Sequence, residues 1–188
     1  KELSLKTKHI SSTDALSQQT LKEAASLLQS GGLVVFPTET VYGLGGDATQ
    51  AQSSKKIYAA KGRPSDNPLI IHIAEPRDAE RYAYVCPTYE RLANAFMPGP
   101  LTVIIPKRDI IPAETTGGLD TVAVRCPSHP VAHALIEACG VAIAAPSANI
   151  SGKPSTTTAE HVLHDHDGRI DAIVDGGPCR VGVESTII

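Results

Sequence analysis

The sequence predicts an α/β domain: a twisted, open sheet of mixed parallel and antiparallel strands with helices flanking it. Three observations carry that prediction. Short apolar runs rich in β-branched residues recur along the chain and alternate with segments of helical periodicity, as when both sheet faces are covered by helices. Some of those runs follow one another with no helix between them, so the sheet is mixed rather than all parallel. Finally, 188 residues without a repeat or a low-complexity linker suffice for one sizeable core, so residues 1–188 read as a single domain.

The first helical stretch carries Leu21, Ala24, Ala25 and Leu28 on one face, and Gly31-Gly32 ends it. LVVF (33–36) follows as a short buried strand broken by Pro37. Residues 51–60 read as a helix with Ile57 inward and Lys55 and Lys56 outward. LIIHI (69–73) is a β-branched strand, and PTYERLANAF (87–96) is a helix stopped by Pro98-Gly99-Pro100. LTVII (101–105) and TVAVR (121–125) are strands. Ser128 is expected to cap a helix whose apolar face holds Val131, Leu135 and Ala138. VAIAA (141–145) and DAIVD (171–175) are strands on either side of a helix at 157–165.

Composition narrows the function classes. With 41% hydrophobic and 20% charged residues and a formal charge of −3, the chain is an ordinary soluble globular protein. That balance argues against binding nucleic acid through bulk charge, though it is compatible with a local basic groove. Cys86, Cys126, Cys139 and Cys179 lie far apart, without a CxxC pair or a histidine at metal-ligand spacing. With no signal-peptide pattern, reduced thiols in a cytoplasmic protein are the expectation. No apolar run approaches the roughly 20 residues of a membrane span.

Polar residues gather just after the strands. LVVF runs into PTETVYGLGG, TVAV into Arg125 and VAIAA into PSANISGKPS. Loops beyond the carboxyl ends of strands are where open α/β sheets bind ligands. Here they bring Thr38, Thr40, Tyr42, Arg125, Ser147, Asn149, Ser151, Lys153 and Ser155 together, and AKGRPSDNPL (60–69) adds Lys61, Arg63 and Asn67. Hydroxyls, amides and a few cations are what polyphosphate and carboxylate recognition requires. Familiar motifs are otherwise absent. Gly43, Gly45 and Gly46 do not fit GxGxxG and read as a tight turn. GKPS (152–155) lacks the Ser/Thr beside its lysine that a P-loop needs. His161, His164 and His166 read as a solvated helix end rather than a metal site. No GxSxG or catalytic triad occurs, and Glu39 and Glu184 are isolated in sequence. From the residues alone, the chain is a polyanion-binding α/β domain.

The combination PTETVYGLG (37–45), KGRPSDNPL (61–69), PGPLT (98–102), TVAVRCP (121–127), APSANISGKPS (145–155) and VESTII (183–188) resembles the YrdC/Sua5 family, from about Gly31 to Ile188. The resemblance implies the YrdC-like fold and an L-threonylcarbamoyladenylate synthase, a nucleotidyltransferase. Such an enzyme makes threonylcarbamoyl-AMP and pyrophosphate from L-threonine, bicarbonate or CO2, and ATP, for a downstream transferase that modifies tRNA to t6A. Carried over residue by residue, it implies threonine contacts at Thr40, His72, Arg125, Ala145 and Ser185. It implies ATP contacts at Arg63, Asn67, Thr121, Ser147, Asn149 and Ser155, with Lys61 and Arg63 stabilising the charge that develops on the phosphoryl oxygens. For the base that takes the amine proton His72 is one candidate, with a structural hydrogen-bonding role for it the alternative. Magnesium is expected with ATP, with no protein metal site and no organic cofactor. The resemblance to long bacterial forms also implies a linker, a second domain and a further ATP-contacting arginine after residue 188. Three alternatives stay open. One is a related carbamoyltransferase domain that forms a carbamoyl-adenylate. Another is a tRNA- or double-stranded-RNA-binding module using Lys55, Lys56, Lys61 and Arg63. The third is a silent ATP- or threonine-binding regulatory domain.

Overall fold

The computed structural model describes residues 6–11 and 13–188. Its centre is a nine-stranded mixed sheet. In chain order the strands are β1 (Lys8–Ile10), β2 (Val34–Pro37), β3 (Tyr42–Asp47), β4 (Ile70–His72), β5 (Leu101–Pro106), β6 (Thr121–Arg125), β7 (Ile143–Ala144), β8 (Ala172–Val174) and β9 (Thr186–Ile187). Across the sheet they run β1-β8-β2-β3-β7-β4-β6-β5-β9. The helices are α1 (Gln18–Gln29), α2 (Ala51–Lys61), α3 (Pro87–Phe96), α4 (Pro130–Cys139) and α5 (Ala159–His166), with a 3-10 turn at Pro76–Arg81. The mixed α/β architecture expected from the sequence is the one observed.

Local chemistry accounts for most of these elements. Ser17 caps α1, its hydroxyl accepting from the Thr20 amide at 3.1 Å, and Ala24, Ala25 and Leu28 face inward. α2 ends on Gly62, whose φ of 61° is the left-handed region that a residue with a Cβ resists. The cap of α4 differs from expectation. His129, not Ser128, caps it, with Nδ1 accepting from the Val131 amide at 3.1 Å. Its buried face is Val131, Ala132, Leu135, Ile136 and Cys139, while Ala138 is exposed.

The glycines at 43, 45 and 46 are the largest departure. They form no turn but lie inside β3, buried along its whole length and antiparallel to β2 with Phe36 opposite Gly43 and Val34 opposite Gly45. A Cβ on Gly45 would come within 2.8 Å of both Ile143 Cγ2 and Phe36 Cε1. One on Gly46 would meet Ser53 Cβ at 3.1 Å, where α2 packs. A bare backbone is what lets strand, sheet neighbours and helix close up here.

Register fixes which side chains share a face. Gly45 and Val34 are opposite one another, Gly46 pairs with Ala144, and Ile70 and Ile71 pair with Ala123 and Val124. Because successive residues alternate sides, Val35, Leu44, Ile71, Val103 and Val124 point to one face. There they pack with Ile57 and Tyr58 of α2, Tyr89 and Ala93 of α3, and Val162 of α5. The opposite face is asymmetric. Over Val34, Phe36, Ile143, Ala172 and Val174 it is covered by α1 and α4. Over β4, β6 and β5, the residues of that face are Ile70, His72, Ala123, Arg125 and Ile104, and Ile104 is exposed. The expectation that helices cover both faces holds fully on one side and for half of the other.

Candidate active site

The uncovered half-face is the floor of a cavity of about 280 Å³. Gly43, Ile70, His72, Ala123, Arg125, Ala145 and Ser147 form the floor, and Thr38 and Thr40 close one end. Arg63, Asn67 and Pro68 from the loop after α2 stand at another side. Glu184 and Ser185, just before β9, and Ile187 within it close the cavity. The cavity therefore lies on a sheet face, flanked by loops, rather than simply beyond the strand ends.

Arg125 is the chemical centre of the floor. It is 4% exposed, at the end of β6, and its three donors are engaged: Nη2 donates to Glu39 Oε1 at 2.6 Å, Nη1 to Thr40 Oγ1 at 3.0 Å, and Nε to the Gly99 carbonyl at 3.4 Å. Glu39, 5% exposed, also accepts from the Ser128 amide at 3.1 Å. A guanidinium carries five N–H groups, so two on its terminal nitrogens are free to meet an incoming carboxylate. Thr40 is oriented in turn by Thr38, whose hydroxyl lies 2.9 Å from that of Thr40 and donates to the Val41 carbonyl at 2.6 Å. Sequence reasoning treated Glu39 as isolated. Its partner is 86 residues away, and the signal available was a lone carboxylate inside an otherwise apolar and hydroxyl-bearing stretch.

His72 sits beside Arg125 in the register of β4 and β6. Complete burial and the adjacent Arg125 charge push its pKa down to about 3, and Nδ1 lies 3.2 Å from the Ile70 carbonyl. Burial and the Arg125 charge disfavour its cationic form, so it lies on the floor as a neutral imidazole at physiological pH. Ala145 contributes main chain, its amide donating to the Ile70 carbonyl at 2.9 Å. Ser185 is joined to Thr102 by a hydroxyl–hydroxyl bond of 2.7 Å.

The other side of the cavity is more open. Arg63 folds onto its own loop, donating from Nε to the Asn67 carbonyl at 3.1 Å and from Nη2 to Asn67 Oδ1 at 2.8 Å and the Pro68 carbonyl at 2.9 Å. Ser155 bonds Glu184, the acidic side chain that lines the cavity. Thr121 lies on the same face as Ala123, two residues before it at the start of β6 and outside the lining. No group of three or more His, Cys, Asp or Glu side chains able to hold a metal ion occurs among the described residues.

Neither Lys61 nor Asn149 is among the residues that line the cavity. Lys61 is 1% exposed and outside the cavity lining. Its ammonium donates to the carbonyls of Ser147 and, at 2.6 Å, Asn149. Burial, with Arg63 nearby, lowers its pKa to about 8, so it stays largely charged at neutral pH. The Asn149 side chain donates from Nδ2 to the carbonyls of Ile150 and Lys153 at 3.1 and 2.8 Å. Lys61 is unavailable to an RNA backbone, which leaves Lys55 and Lys56 as the exposed lysines of that patch. His166 is likewise no solvated helix end: it is fully buried, whereas His161 and His164 are exposed.

Comparison with known proteins agrees with this geometry. The family model for Sua5, YciO and YrdC, described as "Telomere recombination", matches residues 26–188. Proteins named threonylcarbamoyl-AMP synthase from Pyrococcus abyssi and Bacillus subtilis are 56% and 55% identical over 89% and 94% of this chain. The chain spans about half the length of these curated relatives, 50% and 52% respectively. Among solved structures, Pyrococcus abyssi Sua5 complexed with L-threonine superposes with a TM-score of 0.90 at 51% identity, over 97% of this chain and 53% of that one. Escherichia coli YciO superposes at 0.83 with 22% identity, over 97% and 87% of the two chains, a likeness of fold alone. By motif, sheet order and family match, the chain belongs to the Sua5/YciO/YrdC family.

Proposed function

We propose that this chain carries the active site of an L-threonylcarbamoyladenylate synthase, joining L-threonine, CO2 or bicarbonate, and ATP into threonylcarbamoyl-AMP and pyrophosphate. The observation that carries the reading is the buried Arg125, held flat by Glu39 and Thr40 on a cavity floor and facing a loop that presents Arg63. An amino-acid carboxylate fits the fork of Arg125, and a polyphosphate fits the cationic, hydroxyl-bearing rim. The names of the Pyrococcus and Bacillus relatives, and the threonine complex of the Pyrococcus protein, support the same assignment.

In this reading the threonine amine adds to CO2, giving a carbamate and releasing protons. A carbamate oxygen then attacks the α-phosphorus of ATP, and pyrophosphate leaves. No protein nucleophile takes part; the chain's residues position reactants and stabilise charge. Arg125 and Thr40 hold the amino acid. Arg63, Asn67 and Ser147 hold the phosphates, and magnesium enters with ATP as the substrate complex. Apolar Ile104, Ile187, Ala123 and Ala145 line the cavity and limit water, which suits a carbamate that decomposes when free. The product passes to a tRNA-modifying transferase for t6A formation, in the cytoplasm. No helix among the described residues is long and apolar enough to cross a membrane.

Incubation with MgATP, 13C-bicarbonate and L-threonine, followed by mass spectrometry, tests this, with serine as control. The expected result is labelled threonylcarbamoyl-AMP with equimolar pyrophosphate. ATP turnover that required carbamoyl phosphate instead of threonine would move the chain to the carbamoyltransferase class.

A further inference from the structure

The loop that follows β7 is fixed from behind by two buried bases. Three consecutive carbonyl oxygens, those of Ser147, Ala148 and Asn149, are each taken by a basic side chain. Lys61 donates to the first and third, and His166 Nε2 lies 2.5 Å from the second. Since a carbonyl only accepts, Nε2 carries the proton, and the other ring nitrogen, Nδ1, is buried with no partner. Lys61 ends α2 and His166 ends α5, and both helices pack on the sheet face opposite the cavity.

Peptide planes turn this clamp into a statement about donors. In a trans peptide the N–H points opposite to the preceding C=O. With the carbonyls of Ala148 and Asn149 drawn to His166 and Lys61, the amides of Asn149 and Ile150 point away from them. Neither of these amides, nor that of Ser147, donates to any acceptor among the described residues. Ser147, beside them, lines the cavity. Successive unpartnered N–H groups in a bent loop form an anion-binding concavity.

We propose that His166 is a positioning residue for the nucleotide. Together with Lys61 it holds the 147–149 carbonyls on the far side, so that the Asn149 and Ile150 amides are presented to ATP phosphate oxygens. The inference rests on the function proposed above and deepens it. It gives Lys61 a role as the loop's rear anchor, and it gives a role to a histidine that sequence reasoning had assigned to solvent. His166 itself touches no substrate.

The test is calorimetric binding of MgATP and, separately, of L-threonine to the wild-type chain and to His166→Leu, His166→Asn and His166→Gln. Glutamine places an N–H where Nε2 stands; asparagine is a bond too short to reach. We expect His166→Leu and His166→Asn to weaken MgATP binding by about tenfold or more while threonine affinity changes less than about twofold, with His166→Gln recovering most of the loss. Should the leucine variant not fold, the Asn–Gln pair carries the same comparison. Equal MgATP affinity in wild type and the Asn variant overturns the clamp, as does parallel weakening of both ligands that glutamine fails to repair. A wild-type chain that binds no MgATP overturns the proposed function itself, and the clamp's role falls with it.

Discussion

The two ends of the cavity are built to different standards. At the Arg125 end, Thr40, His72, Arg125 and Ala145 are all under 5% exposed, and Arg125 is already bonded to Glu39 and Thr40 before any ligand arrives. At the Arg63 end, Asn67 is exposed, Arg63 and Ser155 are half-buried, and the guanidinium of Arg63 rests on its own loop. The first end is part of the core and the second is part of the surface. A preformed site suits a small, rigid amino acid whose carboxylate must be aimed, and an adaptable rim suits a long, flexible triphosphate. The difference also separates what a mutation does to folding from what it does to binding.

The sharpest way to break that contrast is Arg125→Ala. It strands Glu39 as a buried charge without its partner, so we expect a stability loss of about 3–5 kcal/mol in urea denaturation together with a raised threonine requirement. A variant of wild-type stability would show that the Arg125 end is not integral to the core. Arg63→Ala is the counterpart. ATP use should weaken at least about tenfold, the worth of a charge-assisted contact at 1.5–3 kcal/mol, with stability unchanged within about 0.5 kcal/mol. Unaltered ATP kinetics would remove Arg63 from the phosphate site.

Two smaller effects probe the floor beneath. Gly45→Ala forces a methyl against Ile143 and Phe36 and should lower the unfolding free energy by about 1–3 kcal/mol, read from the urea midpoint. An unchanged midpoint would mean that β2 and β7 yield more easily than their packing implies. The other is a pH slope. Unfolded, His72 takes a proton near 6.5; folded, it refuses one until about 3. Its contribution is therefore present above pH 6.5 and lost as pH falls towards 3. It amounts to about 1.4 kcal/mol per pH unit for the single proton withheld. His129 and His166 are shifted the same way by burial. Replacing His72 by phenylalanine should flatten the acid limb by one proton's worth, and an unaltered limb would mean that His72 is protonated in the fold.

What was legible in the sequence follows from what each residue shows locally. LVVF, LIIHI, LTVII and TVAVR read correctly as strands because β-branched runs declare themselves wherever they are paired. β3 did not, since its information lies in side chains that are missing: Gly43, Gly45 and Gly46 make room for Ala145, Phe36 and Ile57, which are distant in sequence. The residue types suited to a carboxylate and a polyphosphate could be seen without the fold. That Lys61 turns inward to carbonyls, that Glu39 belongs to Arg125 and that half of one sheet face stays bare are all facts of tertiary pairing. Periodicity along a single segment cannot carry them.

The bare floor has a consequence for how such a pocket can change over generations. Gly43 has no side chain to give up, and Ala123 and Ala145 have one methyl each. Nearly every substitution at these three positions therefore adds atoms and subtracts room. Drift at these positions can narrow the range of acids admitted far more readily than it can widen it. Acceptance of a bulkier substrate would have to come from movement of the flanking loops, whose side chains are long enough to be trimmed.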